Sequence, residues 1–239
     1  MNTIAVIPAR YKSSRFPGKP LAPILGKPMI KWVYEAAETV PELSEVMVAT
    51  DDDRIFQYVK SFDGNVVMTT DCVCGTDRVY QAAKEVECDR VINIQGDEPL
   101  IDKKTIQEVM SAFDDETVYV ASLKNRIIKF EDVCDENTVK VITDCNNDVI
   151  SYSRSIIPFN REKINVKYYR SIGVYCFDKD FLRTFVSLPR GPIESAESIE
   201  QMRIIENGYK LRMVETDYEG FGVDVPEHIS IVESILKRK

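Results

Sequence analysis

Short apolar runs rich in β-branched residues recur along the first hundred residues, separated by longer stretches in which apolar positions return every three or four residues. Apolar runs of this length predict buried strands, and the longer period predicts amphipathic helices. The predicted strands cover residues 3–8, 45–50, 65–68 and 90–94, and the predicted helices cover about 28–39, 52–62, 76–87 and 103–113. Strands and helices that alternate in this way are typical of βαβ units.

The alternation predicts an α/β fold with a Rossmann-like, mostly parallel sheet and helices on both of its faces. Between about residues 118 and 177 the pattern changes to strand-like pieces without convincing helices, which predicts a small antiparallel excursion. Helical periodicity returns at 194–207 and 226–238. We expect one domain over residues 1–239, and a homodimer in which the excursion forms the interface.

Composition and charge exclude several classes of partner. The chain has 239 residues, of which 44% are hydrophobic and 29% charged, as in ordinary globular proteins. Its net charge of −8 argues against nucleic acids and anionic membranes as partners. No apolar run approaches the roughly 20 residues of a membrane span, and the N-terminus lacks a basic leader. We therefore expect a cytosolic protein with reduced thiols.

The charge is uneven, because residues 1–34 contain six cations and no acid. The segment 9–21 (ARYKSSRFPGKPL) directly follows the first predicted strand. The cations Arg10, Arg15 and Lys19, the hydroxyl of Ser14 and the backbone amides suit a polyphosphate. Neither common glycine-rich phosphate motif is present, and a solvated basic loop is the alternative.

Two aspartates occupy turns at predicted strand ends. Asp97 follows the strand at 90–94, and Asp224 precedes the last predicted helix. Paired carboxylates are hard oxygen ligands suited to Mg²⁺, although each residue alone could equally be a helix cap or a turn residue. We expect Glu98 to face away from Asp97 in a structural role, and the acidic run 51–53 to cap the following helix.

The sequence GTDR at 75–78 opens a predicted helix. Amides at Gly75 and Thr76 would suit a nucleotide, and Arg78 could reach an acceptor on the base, ribose or second substrate. The alternative is a plain helix start capped by Thr76. Two nearby cysteines, Cys72 and Cys74, have a spacing that is poor for structural zinc.

A single helix over 194–207 would put Ile199 and Met202 on one face, and Glu200 and Gln201 on the opposite face. Such a polar face is usually solvated. The one histidine, His228, lies four residues after Asp224. We expect it at the surface, with a place beside a metal site as the alternative.

These segments resemble the signatures of the 3-deoxy-D-manno-octulosonate (Kdo) cytidylyltransferases, also called CMP-Kdo synthetases. The match extends over nearly the whole chain in order and spacing. It includes IPARYKSSRFPGKPL at the N-terminus, VATDDDRI at 48–55, GTDR at 75–78, INIQGDEPLI at 92–101, ESIEQMR at 197–203 and GVDVPE at 222–227.

The resemblance implies an enzyme that transfers CMP from CTP to the anomeric hydroxyl of a Kdo-type acid and releases pyrophosphate, with Mg²⁺ as cofactor. It implies catalytic roles for Arg10, Arg15, Lys19 and Asp97, and Mg²⁺ ligation by Asp97 and Asp224. The implied CTP contacts are Ala9, Arg10, Ser14, Arg15, Lys19, Gly75, Thr76 and Arg78. The implied acid-binding residues are Gln95, Arg154, Ser171, Tyr175, Glu200 and Gln201.

One departure from the family pattern concerns the acid. Where the family typically has R-H-x-G-x-Y, the chain has Ser171 in place of the histidine. Loss of one buried hydrogen bond costs about 1–3 kcal/mol. Either another group replaces the imidazole, or the substrate is a related acid such as an amino-Kdo, another nonulosonic acid or a phosphonate. A non-catalytic nucleotide-binding relative is a third hypothesis.

Overall fold

The computed structural model of the chain describes residues 1–13 and 15–238. Its strands are β1 (Thr3–Ala9), β2 (Pro23–Ile24), β3 (Lys27–Pro28), β4 (Leu43–Thr50), β5 (Asn65–Met68), β6 (Arg90–Ile94), β7 (Val120–Ile127), β8 (Lys140–Thr143), β9 (Val149–Ser153), β10 (Tyr168–Asp178) and β11 (Arg212–Glu215). The α-helices are α1 (Met29–Glu38), α2 (Asp53–Lys60), α3 (Gly75–Ala83), α4 (Lys103–Ser111), α5 (Phe130–Cys134), α6 (Lys179–Ser187), α7 (Pro192–Glu197), α8 (Met202–Glu206) and α9 (His228–Leu236). Short 3₁₀ helices cover Lys19–Leu21 and Ala112–Asp114.

The central sheet has the strand order β11-β7-β10-β6-β1-β4-β5. The neighbours β6, β1, β4 and β5 are parallel, whereas β10 is antiparallel to both β6 and β7. This confirms the predicted α/β class with a mostly parallel sheet. Because four neighbouring strands run the same way, their carboxyl ends meet at one edge of the sheet, where α/β proteins bind ligands.

Both faces of the sheet are covered because apolar side chains point to both sides of its central strands. Ala5 and Ile7 of β1 belong to a core cluster that includes residues of α1, α2 and α4. Ile4 and Val6 point the other way, into a cluster with residues of α3 and α6. Successive side chains of a strand alternate between faces, so a continuous apolar run indicates a strand buried on both sides.

The predicted antiparallel excursion divides into two parts. Strands β7 and β10 extend the central sheet, and the eleven-residue β10 pairs with β6 on one side and β7 on the other. The hairpin β8–β9 lies off the main path and joins it through β10. The strands of the predicted excursion therefore form antiparallel pairs that continue the parallel part of the sheet.

The prediction of one helix over 194–207 is wrong. The chain forms α7 and α8, with Ser198 between them in the left-handed region at φ 52°. A two-pronged ion pair joins the two helices, since Arg203 Nη2 and Nε lie 2.7 and 3.0 Å from the two carboxylate oxygens of Glu194. Helical periodicity does not reveal this break between two helices, because it reports only local amphipathic spacing.

Among the described residues, no helix combines the length and the apolar character that crossing a membrane requires.

Candidate active site

A cavity of about 500 Å³ opens at the carboxyl edge of the sheet, beyond the ends of β1 and β6. It gathers residues from distant parts of the sequence, and most of them are polar or charged. Predicted site residues that line it are Ala9, Arg10, Arg15, Lys19, Gly75, Arg78, Gln95, Asp97, Glu200 and Asp224. The fold thus brings ten predicted site residues to one cavity.

The cation-rich segment after β1 is shaped by a glycine turn. Gly18 has φ 75°, and its N–H donates to the Tyr11 carbonyl at 2.9 Å. A Cβ atom at this position would lie 3.0 Å from the Tyr11 ring, so only glycine fits without a shift. The 3₁₀ helix that follows begins with Lys19 and has Pro20 in its first turn, which fixes where Lys19 enters the cavity.

The two predicted metal ligands lie close to a shared lysine. Lys19 Nζ is 2.5 Å from Asp97 Oδ2 and 4.0 Å from Asp224 Oδ1. Arg15 Nη2 also lies 2.8 Å from Asp224 Oδ1. Arg15 and Asp224 are 59% and 42% exposed, so their ion pair contributes little free energy and can rearrange when a ligand arrives.

Asp224 reaches the cavity from the segment between β11 and α9. The Val223 N–H donates to the Asp97 carbonyl at 2.9 Å, which ties this segment to the end of β6. His228 Nδ1 lies 3.3 Å from both the Asp224 nitrogen and the Gly222 oxygen. The histidine is half-buried beside Asp224. This position favours the predicted alternative, a place beside the proposed metal site, over a position at the surface.

The nucleotide-side residues surround the start of α3. Cys74, rather than Thr76, caps this helix: its sulfur accepts the Asp77 N–H, and the Asp77 carboxylate accepts the Cys74 N–H. Thr76 is buried and its hydroxyl accepts from Asn93 Nδ2 at 3.3 Å. Gly75, the first residue of α3, lines the cavity and has open space beside it.

The Arg78 guanidinium lines the cavity but is already held by acceptors. Its Nη2 lies 2.7 Å from Asp51 Oδ2, and its Nη1 donates to the Thr69 hydroxyl. In the acidic run, Asp52 caps α2 by accepting the Arg54 N–H at 3.0 Å. The capping prediction therefore holds for Asp52, whereas Asp51 serves to fix Arg78.

On the opposite wall, Gln95 and Glu200 line the cavity. Glu200 Oε1 is enclosed and has no hydrogen-bond partner among the described residues. Burial raises the pKa of the Glu200 carboxyl. Glu200 thus brings a carboxyl group to the cavity, with one of its oxygens enclosed by the protein.

The other predicted acid-binding residues do not line this cavity. Arg154 is tied to the backbone oxygens of Glu197 and Glu136 at 2.8 and 3.0 Å. Tyr175 is buried in the core. Ser171 Oγ is enclosed without a partner among the described residues, and Gln201 is half-buried just before α8. The assigned roles of these four residues stay predictions.

The prediction for Ser14 lies outside the described residues. Sequence reasoning gave no role in the cavity to Lys12, which also lines it, or to Gly96 at the end of β6. Lys12 belongs to the same cation-rich segment as Arg10, so the charge pattern could have found it. The cysteines Cys72 and Cys74 line the cavity as free thiols, and burial raises both pKa values.

Fold and cavity together define a nucleotide-binding α/β protein of the kind that transfers phosphorus-containing groups. Comparison with known proteins specifies the class. A family model described as "Cytidylyltransferase" matches residues 4–214, and the chain belongs to that family.

Relatives match along their full length. A protein of Solibacter usitatus named 3-deoxy-manno-octulosonate cytidylyltransferase is 44% identical, covering 98% of this chain and 94% of the relative. A protein of Shewanella baltica named 8-amino-3,8-dideoxy-manno-octulosonate cytidylyltransferase is 43% identical, covering 99% of each. A solved structure of CMP:2-keto-3-deoxy-manno-octonic acid synthetase complexed with CTP aligns with a TM-score of 0.95 and 40% identity, covering 100% of this chain and 99% of that one.

Proposed function

We propose that the chain transfers CMP from CTP to the anomeric hydroxyl of a 3-deoxy-ulosonic acid of Kdo type and releases pyrophosphate. The observation that carries this proposal is the cavity itself, where the cations of segment 10–19 face the Asp97 and Asp224 carboxylates. The full-length likeness to cytidylyltransferases that are named for such acids supports the choice of substrate.

Each group of residues has a chemical role in the proposed transfer. Arg10, Lys12 and Arg15 neutralise the triphosphate, and the amides at the start of α3 bind the nucleotide. The acceptor hydroxyl oxygen forms a bond to the α-phosphorus, while the bond from that phosphorus to the oxygen bridging to the β-phosphate breaks. Pyrophosphate leaves with the electron pair, and the hydroxyl proton passes to water. Positioning and charge neutralisation supply the catalysis.

We also propose Mg²⁺ as the cofactor, held by Asp97 and Asp224. The donor set fits, because Mg²⁺ usually takes one or two protein carboxylates and completes its shell with water and substrate phosphates. When bound, Mg²⁺ neutralises phosphate charge and acidifies a coordinated hydroxyl.

A second candidate acceptor is the 8-amino analogue of the acid. It is favoured by the 43% identity to the Shewanella relative, which nearly equals the 44% identity to the Solibacter relative. Glu200 also lines the cavity, and its carboxyl group is suited to an ammonium group. The residues of the cavity suit either acid. A direct comparison of the rates of pyrophosphate release with the two acids decides which is the better acceptor.

We also propose that the protein is a homodimer and that it lies in the cytosol. Six of the twelve exposed large hydrophobic residues in the described part of the chain lie between residues 128 and 164. Concentrated exposed apolar surface marks interaction sites. The six cysteines are free thiols, as is usual in the reducing cytosol.

The test is pyrophosphate release from CTP with Mg²⁺ and a panel of acids: Kdo, 8-amino-Kdo and N-acetylneuraminic acid. We expect release with one of the first two acids and much slower release with UTP in place of CTP. Asp97→Asn and Asp224→Asn should each abolish release in protein that keeps its fold by circular dichroism. CTP binding without release for any acid would overturn the proposal and favour a nucleotide-binding protein.

A further inference from the structure

The proposed metal site is assembled from two segments that are far apart in sequence. Asp97 lies in the turn after β6, whereas Asp224 lies in the segment 216–227, which contains no helix or strand. A segment of this kind has few backbone hydrogen bonds to fix it, yet metal ligands need a defined separation. The Val223 N–H to Asp97 carbonyl bond is one fixed point between the two.

The side chain of Glu98 supplies a second fixed point. Its Oε2 accepts a hydrogen bond from the Tyr218 hydroxyl at 2.9 Å and another from the Phe221 N–H at 3.1 Å. Its Oε1 lies close to the backbone on the same side, since a Cβ atom on Gly222 would be 3.8 Å away. Glu98 itself is buried and does not line the cavity, so it faces away from Asp97 as the sequence predicts.

Burying a carboxyl group is costly, which makes this choice of residue informative. Glu98 is only 8% exposed, and it stands next to the negatively charged Asp97 in the chain. An apolar side chain would cost the core less free energy, but it could not hold Tyr218 and Phe221. The benefit of a carboxyl group at this position is therefore that it holds Tyr218 and Phe221 in place.

We propose that Glu98 is a positioning residue that sets Asp224 against Asp97 by holding the segment 218–221 through two hydrogen bonds. The role rests on the proposed metal-dependent function, in which both aspartates hold the cation. Groups that hold metal ligands in place typically change metal affinity by about 10–100-fold when they are removed.

The test measures Mn²⁺ binding in the presence of CTP, by electron paramagnetic resonance, for wild type and four variants. Glu98→Ala should weaken Mn²⁺ binding at least about tenfold, and Tyr218→Phe, which removes one of the two donors, should weaken it by a smaller factor. Glu98→Gln keeps an acceptor oxygen and should restore most of the affinity. Val59→Ala in α2 truncates a fully buried side chain elsewhere and should leave Mn²⁺ binding unchanged.

A double-mutant cycle separates positioning from a general structural effect. In an Asp224→Asn background, Glu98→Ala should cause little further loss of Mn²⁺ affinity, because the ligand that Glu98 positions is already gone. Additive losses, or a loss for Glu98→Ala no larger than for Val59→Ala, would overturn the proposal. Should Glu98→Ala fail to fold, Tyr218→Phe takes its place in the same cycle.

The binding readout also keeps this proposal distinct from the proposed function. If the wild type binds Mn²⁺ with CTP but releases no pyrophosphate with any acid, the proposed function fails while the cycle still tests Glu98. If turnover is normal but Glu98→Ala leaves Mn²⁺ binding unchanged, the positioning role alone is lost.

Discussion

At the scale of single residues, Glu98 should make stability depend on pH. Its pKa is raised from 4.5 to about 7, first by burial and then by the charge of Asp97. Between these two values the folded state keeps a proton that the unfolded state has released, so the free energy of unfolding falls as pH rises through this window. The full shift corresponds to about 3 kcal/mol.

The check is urea unfolding of wild type and Glu98→Gln at pH 5 and pH 8 in EDTA. Glutamine does not titrate, so the wild type should lose about 2–3 kcal/mol more than the variant between the two pH values. Parallel pH dependence in the two proteins would contradict the buried, proton-binding state of Glu98.

Lys19 acts as a counter-ion for both carboxylates of the proposed metal site, and its side chain is only 15% exposed. A bound cation would compete with this ammonium for Asp97. Lys19→Met should therefore bind Mn²⁺ more tightly than wild type when CTP is absent. Its kcat should nevertheless fall by about 10²–10³, because a charge that stabilises the transition state is lost. Unchanged Mn²⁺ affinity would contradict competition between Lys19 and the cation for Asp97. Unchanged kcat would contradict the catalytic role of Lys19.

At the scale of elements, the short helices α7 and α8 depend on the Glu194–Arg203 pair, whose side chains are 5% and 6% exposed. Removing one partner of a buried pair leaves an uncompensated charge, at a cost of about 3–5 kcal/mol. Glu194→Leu and Arg203→Met should each lower the free energy of unfolding by that amount. The double variant should recover most of it, and equal losses in singles and double would contradict this interpretation.

The same elements mark the limit of what periodicity can predict. The strand at 90–94 could be predicted with its correct bounds, because Val91, Ile92 and Ile94 make a short β-branched run of the kind found in buried strands. The break between α7 and α8 at Ser198 could not be predicted. A left-handed serine and an ion pair between Glu194 and Arg203 leave no periodic pattern in the sequence.

At the scale of the whole molecule, the site was predictable where it is local in sequence. Segment 9–21 follows β1 directly, and its cations and hydroxyls predict a polyphosphate site, with a solvated basic loop as the alternative. The meeting of Asp97 with Asp224 depends on a tertiary hydrogen bond from Val223, which no local pattern contains. For the same reason, the structure was needed to find that Glu98 binds Tyr218 and that Asp51 fixes Arg78.

The proposed dimer is also a property of the whole molecule. Phe159 is 85% exposed and lies in the segment with the concentrated apolar surface. Phe159→Asp should convert the dimer to a monomer in analytical ultracentrifugation, because a charge placed in an apolar interface is desolvated without a partner. The control is Lys60→Asp, which places the same charge on the exposed surface of α2, beside the edge strand β5. This variant should remain dimeric. A monomeric wild type would contradict the proposal.

The central claim is the transfer of CMP to an acid, and its most direct measurement is phosphorus NMR of a reaction containing CTP, Mg²⁺ and Kdo or 8-amino-Kdo. We expect the CTP signals to be replaced by equal amounts of pyrophosphate and of a phosphodiester joining CMP to the acid. Free CMP in place of the phosphodiester, in amounts too large for later hydrolysis, would indicate a hydrolase. Unchanged CTP with both acids would contradict the claim.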